Sequence, residues 1–446
     1  MHDITVKRAA EITGGILIGN GENEISSVCI DSRKVTDGAL FAALKGERVD
    51  GHDYIEKAFQ TGAVCCLAER SPENCGGTLI IVPDVAAALR KLAEAYRKLF
   101  NIPVIGIAGS VGKTTAKEMV ASVLSQRYKV HKTEKNLNNE LGVPLTVFGI
   151  EPEHEAAVIE MGISDFGEMS RLARMVRPTM AVYTVIGHAH LEQLIDLDGV
   201  LKAKTEMLDF MPDDACVFLN ADDEKLASVD CRQKRVFYGT GENACVRAEN
   251  LRSDLMSADC DIVCGSRRIP VHIPAYGKHM VYAALEGSAV GMELGLSDSE
   301  IAAGIAAYET IGRRANVIDT GDITLIDDCY NANPDSVKCG IDSLAAYPGR
   351  RVCILGDMLG MGENVAALHS DVGEYAGKSG ASLILTVGKR SENTHKAASE
   401  YVEAHHFDTN AELIAALPNL IKRGDAVLVK ASHDMHFDEI SDFLSR

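Results

Sequence analysis

A glycine-rich loop carries the strongest chemical signal in this sequence. It follows the apolar run VIGIA, opens a segment of helical spacing, and consists of Gly109, Ser110, Val111, Gly112, Lys113, Thr114 and Thr115. Glycines let the backbone curl until several N–H groups face one phosphate, and the N-terminus of the following helix adds partial positive charge. Lys113 would reach the terminal phosphates of a nucleotide, and the Thr114 hydroxyl would hold Mg²⁺. The general motif has glycine at the position of Ile107, so a turn that merely caps a helix is the alternative.

Glu160 and His190 could complete a metal and phosphate site, whereas Lys204 by itself indicates only a lysine on a helix. Glu160 ends the apolar run AAVIE, His190 follows the run MAVYTVI, and Lys204 lies in a segment of helical spacing. Ligands of parallel sheets bind at the carboxyl ends of the strands, so Glu160 and His190 are placed to hold Mg²⁺ with Thr114. Each residue also has an ordinary interpretation: a solvated strand end, a polar loop, and a solvated lysine beside Glu206.

Polar loops elsewhere suggest contacts with a second ligand. Residues 135–144 contain Asn136, Asn138 and Asn139, whose amides could bind sugars or pyrophosphates or could simply cap turns. Two later apolar runs end in acids, at Asp327-Asp328 and at Asp357. Two such strand ends would form a rim that faces the phosphate-binding loop, which suggests a site formed by domain closure.

The pattern of apolar runs predicts an α/β protein of three domains, at residues 1–100, 101–311 and 312–446. The first mixes short strands and helices. The second alternates strand, loop and helix, which is typical of a doubly wound parallel sheet, with an antiparallel segment near residues 222–274. The third is a Rossmann-like α/β unit with the strands ITLIDD, RVCILGD, LILTVG and AVLVKA.

Composition excludes several classes of function. The 45 Lys and Arg against 64 Asp and Glu give a net charge of −19, so nucleic acid is not an expected partner. No apolar run is long enough to span a membrane, and the N-terminus lacks the pattern of a signal peptide. We therefore expect a cytoplasmic protein with its 12 cysteines reduced.

Taken in order, these motifs resemble the Mur ligases. The matching runs are DSRK (31–34), GALF (38–41), LKGER (44–48), DGH (50–52), GKTT (112–115), NLNNELGVP (136–144), EMGISDFGEM (160–169), AHLE (189–192), AKTE (203–206), DDCYNANP (327–334) and LGDM (355–358). Two of them, NLNNE and DDxYNANP, point to the branch that adds D-alanyl-D-alanine to UDP-N-acetylmuramoyl-tripeptide (UDP-MurNAc-tripeptide). The resemblance implies an N-terminal UDP-binding domain, a central ATPase domain and a C-terminal ligase domain.

The resemblance also implies the roles of individual residues. Lys113, Glu160, His190 and Lys204 would be catalytic, and Thr114, Glu160, His190 and Lys204 would hold two Mg²⁺ ions. Lys204 matches a position that is a carbamylated lysine in this family, which requires that its surroundings lower the ordinary lysine pKa of about 10.4. ATP would contact the loop residues 109–115 together with Met280, Arg313 and Asp328. The UDP-sugar peptide and D-alanyl-D-alanine would contact Ser32, Arg33, Lys45, Asn136, Asn138, Asn139, Tyr330, Asn331 and Asn333.

The implied reaction begins when the tripeptide carboxylate attacks the γ-phosphate of ATP to form an acyl phosphate. The dipeptide amine then displaces phosphate, and we expect the chain to act as a monomer. This sequence departs from the family pattern at Met280 and Ala283, where asparagines are usual, at Gly360, where an acid is usual, and at His433, where an arginine is usual. Those departures keep open a related ligase with a different amine acceptor, or a nucleotide-binding protein without ligase activity.

Overall fold

The computed structural model describes residues 1–46, 49–72, 75–253, 256–275 and 277–445. Glu47 and Arg48 of the LKGER run lie outside the described residues. Three β-sheets follow one another along the chain, each with helices packed against it. Within the described residues, no helix combines the length and the apolar character needed to cross a membrane.

The N-terminal sheet has the strand order β1-β5-β4-β3-β2, in which β2 to β5 are parallel and β1 is antiparallel to β5. Asp84 accepts the N–H of Ala87 and so caps the N-terminus of the last helix of this domain. The elements are α1 (Val6–Thr13), β1 (Ile16–Ile18), β2 (Ser27–Cys29), β3 (Ala39–Ala42), α2 (Ile55–Thr61), β4 (Cys65–Ala68), β5 (Leu79–Ile81) and α3 (Val85–Arg97).

The central sheet has the strand order β14-β13-β12-β11-β10-β9-β6-β8-β7. Its first part contains β6 (Val104–Ala108), α4 (Lys113–Leu124), β7 (Val130–Lys132), α5 (Gly142–Phe148), β8 (Ala156–Glu160), α6 (Glu168–Val176), β9 (Met180–Tyr183), α7 (Leu191–Leu194) and α8 (Leu197–Thr205). The chain leaves β6 toward β7 and β8 on one side and later returns to β9 on the other. This reversal creates a crevice at the carboxyl end of β6, where sheets of this type bind ligands.

The second part of the central sheet contains β10 (Cys216–Asn220), α9 (Glu224–Ala227), β11 (Lys234–Gly239), β12 (Val246–Ser253), β13 (Ala258–Cys264), β14 (Arg267–Ile273), α10 (Lys278–Glu293) and α11 (Asp298–Ala306). The antiparallel prediction is confirmed for β12 to β14. It is wrong for β11, which pairs in parallel with β10 and with β12. Charged residues at the start of β11 obscured its character as a strand of the parallel sheet.

The C-terminal sheet has the strand order β15-β16-β20-β17-β18-β19 and is parallel except for β15. Its elements are β15 (Asn316–Asp319), β16 (Thr324–Asp327), α12 (Pro334–Ala345), β17 (Arg351–Gly356), α13 (Val365–Lys378), β18 (Leu383–Val387), α14 (Glu392–Ala398), β19 (Ala404–Phe407), α15 (Asn410–Leu420), β20 (Ala426–Lys430) and α16 (Asp438–Leu444). The four predicted strands are present as β16, β17, β18 and β20. Sequence patterning missed β15 and β19, which lie at the edges and are more polar because an edge strand is less fully covered.

Candidate active site

The glycine-rich loop joins β6 to α4 in a conformation that favours glycine at two points. Gly109 has a φ of 152°, and a Cβ there would collide with Oγ1 of Thr184. Gly112 has a φ of 83°, in the left-handed region, and caps the N-terminus of α4. The backbone N–H of Ser110 donates to the carbonyl oxygen of Val185 at 2.8 Å. The loop is therefore curled and is fixed against the chain that follows β9.

Lys113 begins α4 and folds back over the loop. Its Nζ donates to the carbonyl oxygens of Gly109 at 2.9 Å and Ser110 at 3.4 Å. Burial lowers the pKa of Lys113, the charge of Glu160 opposes this effect, and the charge of Arg314 adds to it. Lys113 has no ion pair within the described residues, so it can turn toward an anionic ligand without separating a pair of charges.

Glu160 lies at the carboxyl end of β8 and meets both the loop and the asparagine-rich segment. Its side chain is buried, and its Oε2 accepts the hydroxyl proton of Thr114 at 2.9 Å. The other oxygen, Oε1, accepts from Nδ2 of Asn138 at 2.8 Å. The structure thus brings together Thr114 and Glu160, and it adds Asn138 to the same carboxylate. This buried carboxylate has only neutral hydrogen-bond donors within the described residues.

His190 and Lys204 lie near Lys113. His190 has a φ of 55°, which is uncommon for a residue with a Cβ, and it caps α7. The residue is exposed, yet desolvation by the surrounding protein, followed by the charges of Lys204 and Lys113, lowers the pKa of its ring. Its exposure and its backbone conformation are compatible with a polar loop residue as well as with a metal ligand.

Lys204 occupies an environment that suits a neutral amine. It is 2% exposed in α8, so the interpretation as a solvated lysine is wrong. Burial, and next the charge of Lys113, lower its pKa well below the ordinary value. Its Nζ makes no hydrogen bond or ion pair within the described residues. The neighbouring Glu206 accepts hydrogen bonds from Gly167 and Ser170 instead.

The residues of the C-terminal domain that were predicted to bind the nucleotide are paired with other protein groups. Asp328 accepts from Nζ of Lys430 at 2.6 Å, and Lys430 is buried. Arg313 donates to Asp327 at 2.8 Å and to Asp442 at 2.6 Å. In this conformation the predicted phosphate-binding guanidinium is therefore held by carboxylates of its own domain.

The next arginine, which the sequence analysis missed, has the more suitable position. The guanidinium of Arg314 lies 3.6 Å from the ring centroid of Tyr330, and its charge contributes to lowering the pKa of Lys113. Tyr330 also lies beside His433, with ring centroids 5.6 Å apart. Stacking on an aromatic ring leaves N–H donors of a guanidinium available for an anion. Arg313 and Arg314 are neighbours in the run GRR (312–314), and sequence spacing could not show which of the two would reach the phosphate.

Several predicted substrate ligands have structural roles. The side chain of Asn139 accepts the N–H groups of Leu141 and Gly142 before α5, and Asn333 accepts the N–H of Ser336 as the N-cap of α12. Asn331 accepts the N–H of the next residue. The cap interpretation therefore accounts for Asn139 and Asn333, whereas Asn136 is exposed.

The predicted uridine-binding residues lie in and after the first strands of the N-terminal sheet. Ser32 is buried in a short 3-10 helix, and Arg33 is largely exposed while donating to Asp31. The guanidinium of Arg33 holds the pKa of Asp31 down to about 2. Lys45 is exposed and forms an antiparallel bridge with Asp50. These residues are not drawn into the cluster around Lys113.

A cavity of about 840 Å³ lies between the central and C-terminal domains. The loop residues Gly112 and Thr115 line it from one side, and α12 lines it from the other. Next to it, the backbone N–H of His188 donates to Asp335 of α12 at 2.6 Å. A Cβ at Gly187 would collide with the same carboxylate. The phosphate-binding loop thus faces the C-terminal domain across a space large enough for a nucleotide.

Comparison with known proteins identifies the family to which this chain belongs. Family models match residues 24–109 ("Mur ligase family, catalytic domain"), 107–291 ("Mur ligase middle domain") and 313–433 ("Mur ligase, glutamate ligase domain"). The chain belongs to the Mur ligase family. Among its Mur ligase relatives, the UDP-N-acetylmuramoyl-tripeptide–D-alanyl-D-alanine ligase of Bacillus subtilis (strain 168) is 35% identical, covering 98% of this chain and 97% of the relative. The enzyme of the same name from Escherichia coli (strain K12) is 33% identical, covering 99% and 98%.

Solved structures of Mur ligases share the whole fold. MurF from Acinetobacter baumannii superposes with a TM-score of 0.92 at 29% identity and covers 99% of both chains. MurF from Thermotoga maritima in complex with ADP has a TM-score of 0.85 at 26% identity, covering 94% of this chain and 97% of that one. The predictions of a three-domain α/β fold and of membership in this family are confirmed.

The departures from the Mur ligase pattern fall in different environments. Met280 is buried in the apolar core of the central domain and is not among the residues that line the cavity, so its contact with adenine stays a prediction. Ala283, one turn later on α10, does line it. Gly360 has a φ of 72°, which favours glycine and explains why an acid is disfavoured there. His433 begins a 3-10 helix beside Tyr330.

Proposed function

We propose that this Mur ligase is the ATP-dependent enzyme that joins D-alanyl-D-alanine to UDP-MurNAc-tripeptide during cytoplasmic synthesis of peptidoglycan precursors. The observation that carries the proposal is the arrangement of Lys113, Thr114 and Glu160 at the carboxyl end of the central sheet, in and beside the loop whose residues Gly112 and Thr115 line the cavity opposite α12. The relatives that cover nearly the whole chain bear the name of this ligase, which supports the same substrates.

The residues present suit magnesium. Glu160 is a buried carboxylate without an ion pair in the described structure, and it touches the hydroxyl of Thr114. No group of three or more His, Cys, Asp or Glu side chains forms a metal site among the described residues. Mg²⁺ commonly takes one or two carboxylates and completes its shell with water and phosphate oxygens, so a sparse protein shell is sufficient. Bound Mg²⁺ would neutralise charge on the transferred phosphoryl group.

We assign the metal-facing positions to Thr114, Glu160, His190 and Lys204. A buried amine without a partner loses its charge easily, and a neutral amine can capture CO₂ as a carbamate. Capture of CO₂ would form an N–C bond and release one proton to solvent, so that a buried neutral amine would become an anionic carbamate beside Lys113. The low pKa of His190 keeps its ring neutral and its nitrogen lone pair available.

The residues of this chain then have separate tasks in the reaction. Lys113 and the loop N–H groups hold the phosphates of ATP, so that the tripeptide carboxylate can attack the γ-phosphorus and release ADP. Arg314 is placed to meet phosphate from the C-terminal side, in the role that the resemblance gave to Arg313. The dipeptide amine attacks the resulting acyl phosphate, and phosphate leaves. Contact between Asp335 and His188 keeps the two domains together, which limits the entry of water.

The substrate assignments follow the same proposal. Asn138 joins Glu160 to the asparagine-rich segment, so a sugar-peptide bound there would lie next to the phosphate site. Ser32, Arg33, Lys45 and Asn136 are assigned to the UDP-sugar peptide, and Tyr330 and Asn331 to the acceptor side. The division at residues 1–100, 101–311 and 312–446 belongs to this proposal too, since each sheet lies within one of these ranges.

The decisive experiment is an assay of phosphate release with ATP, Mg²⁺, UDP-MurNAc-tripeptide and D-alanyl-D-alanine, in which one component is omitted at a time. We expect release only with the complete mixture, together with a product of the mass of UDP-MurNAc-pentapeptide. Release that persists with other amines but not with the dipeptide would indicate a related ligase. Nucleotide binding without any substrate-dependent release would contradict ligase activity.

A further inference from the structure

One buried acid of the cavity has no part in the proposed chemistry. Glu286 lies on α10, about one helical turn beyond Tyr282 and Ala283, and is 3% exposed. It lines the cavity together with Thr184 and Asn220. No positively charged group pairs with it in the described structure. Burying an ionised carboxylate without a neighbouring cation costs free energy. The protonation state and hydrogen bonds of Glu286 therefore determine how it can contact a ligand.

The protons around Glu286 can be counted. The hydroxyl oxygen of Tyr238 lies 2.8 Å from the carbonyl oxygen of Tyr183, 3.4 Å from that of Thr184 and 2.7 Å from Oε1 of Glu286. A tyrosine has one hydroxyl proton, and a carbonyl oxygen can only accept. If that proton goes to Tyr183, the bond to Glu286 requires a proton on the carboxyl group.

Burial of Glu286 favours the protonated form of its carboxyl group. Burial raises the pKa of Glu286 to about 8, and the contact with the Tyr238 hydroxyl offsets only part of this effect. At neutral pH the carboxyl group is therefore mostly protonated, so the one proton of Tyr238 can go to Tyr183 while Oε1 of Glu286 donates to the Tyr238 oxygen. Its other oxygen, Oε2, is then a carbonyl oxygen, and it makes no hydrogen bond within the described residues.

The polar groups near α10 that also line the cavity include His279, Tyr282 and Asp222, and Asp222 already accepts from the hydroxyl of Tyr282 and from the N–H groups of Thr240 and Gly241. Val281, Ala283 and Ala258 are apolar, which suits the flat face of a base. The amide of Asn220 is already engaged, because it donates to Thr184 and accepts from Asp222. The phosphates belong at the opposite end, at Gly112 and Lys113. A base that enters the apolar part meets Glu286 as a buried polar group with one unused acceptor.

We propose that Glu286 selects the nucleobase, with Oε2 accepting an N–H from the exocyclic amine of a 6-aminopurine and disfavouring a 6-oxopurine. The inference rests on the proposed function only in placing a nucleotide in this cavity. A 6-oxo group would bring a second acceptor against Oε2, and two facing acceptors leave both unsatisfied. Adenine nucleotides are preferred for this reason.

The test compares the binding of ADP and IDP by calorimetry. These nucleotides differ at C6 of the base, where the amine of ADP is replaced by an oxygen in IDP, and binding requires no ligase turnover. We expect the protein to bind ADP roughly tenfold or more tightly than IDP. In Glu286→Leu the acceptor is lost and no donor is added, so the preference should fall by roughly tenfold, whereas the amide of Glu286→Gln can donate to Tyr238 and still present its oxygen to the base, so that variant should keep the preference. Glu293→Gln, near the end of the same helix, is the matched control and should keep the preference.

The outcomes separate this inference from the proposed function. Equal affinity of the unmodified protein for ADP and IDP overturns it, and so does an unchanged preference in Glu286→Leu. Loss of the preference in Glu286→Leu but not in Glu293→Gln supports it, even if the ligation assay fails. Absence of ADP binding overturns it together with the nucleotide site. Glu286→Gln gives a second measurement: a preference that is kept there assigns the selection to the acceptor oxygen, and a preference that is lost there as well overturns that assignment.

Discussion

The phosphate end of the central cavity and the strand ends of the C-terminal sheet both gather polar side chains, but they use them differently. In the central domain, Glu160 receives only neutral donors and Lys113 bonds only to carbonyl groups of its own loop in the described structure. In the C-terminal domain, Asp328 is paired with buried Lys430, and Arg313 is paired with two acids. The first region keeps charges available for a ligand, whereas the second uses its charges to hold the fold.

This difference shows that a polar residue after a strand is not enough to define a ligand site. A charge that already has an opposite charge at hydrogen-bond distance must break that pair before it can bind something else. Breaking a buried pair is costly, since it leaves a charge without compensation. Availability of the charge therefore distinguishes the two regions better than position in the sheet does.

The largest effect is expected at the available charge of the central domain. Lys113→Ala should reduce substrate-dependent phosphate release by roughly 10³-fold or more, because it removes a preorganised charge from the transferred phosphate. Lys129→Ala is the control, since Lys129 is exposed and pairs with Glu153 in the same domain. Measurable release in Lys113→Ala close to that of the control would mean that the loop does not hold the reacting phosphates.

The next largest effect is expected at the buried amine of Lys204. Lys204→Ala should reduce turnover by roughly 10²-fold, and mass spectrometry of the intact protein under CO₂ should show one added carbamate that the variant lacks. Lys202→Ala, on the same helix but exposed, should retain both turnover and the added mass. An active enzyme whose Lys204 carries no modification in the presence of Mg²⁺ would contradict the carbamate.

A third prediction concerns the paired charges of the C-terminal domain. Asp328→Asn should lower the free energy of unfolding by about 3 kcal/mol, because it leaves the buried ammonium of Lys430 without its counter-charge. Denaturant titration measures this change. Adding Lys430→Met should recover most of the stability. If the double variant is stable yet binds ATP weakly, Asp328 serves the nucleotide as well as the fold.

The smallest effect is expected when Arg313 and Arg314 are substituted one at a time. Arg314→Ala should lower kcat/KM for ATP by roughly tenfold, because it removes a positive charge close enough to Lys113 to lower its pKa. Arg313→Ala should mainly reduce stability, since its ion pairs with Asp327 and Asp442 are internal to the domain. The reverse result, with activity lost at Arg313, would mean that the domain rearranges when ATP binds and frees that guanidinium.

Much of the local structure followed from the sequence. The buried strands around Gly109 and the helix that begins at Lys113 were predicted because apolar runs and glycine spacing are local properties. The edge strands β15 and β19 were missed because partly covered strands tolerate polar residues. The roles of Asn139 and Asn333 as caps were available from their positions before helices, but amides that cap and amides that bind ligands look the same in sequence.

The sequence by itself determined the family, the order of the three sheets along the chain and the position of the phosphate-binding loop. Those properties depend on neighbours within a few residues and on the order of motifs. The tertiary structure alone decided that Lys204 is buried, that Arg314 rather than Arg313 faces Lys113, that Met280 packs in the core and that Glu286 reaches the cavity. Burial and pairing arise from residues distant in sequence, and desolvation and charge then set the chemistry of each group.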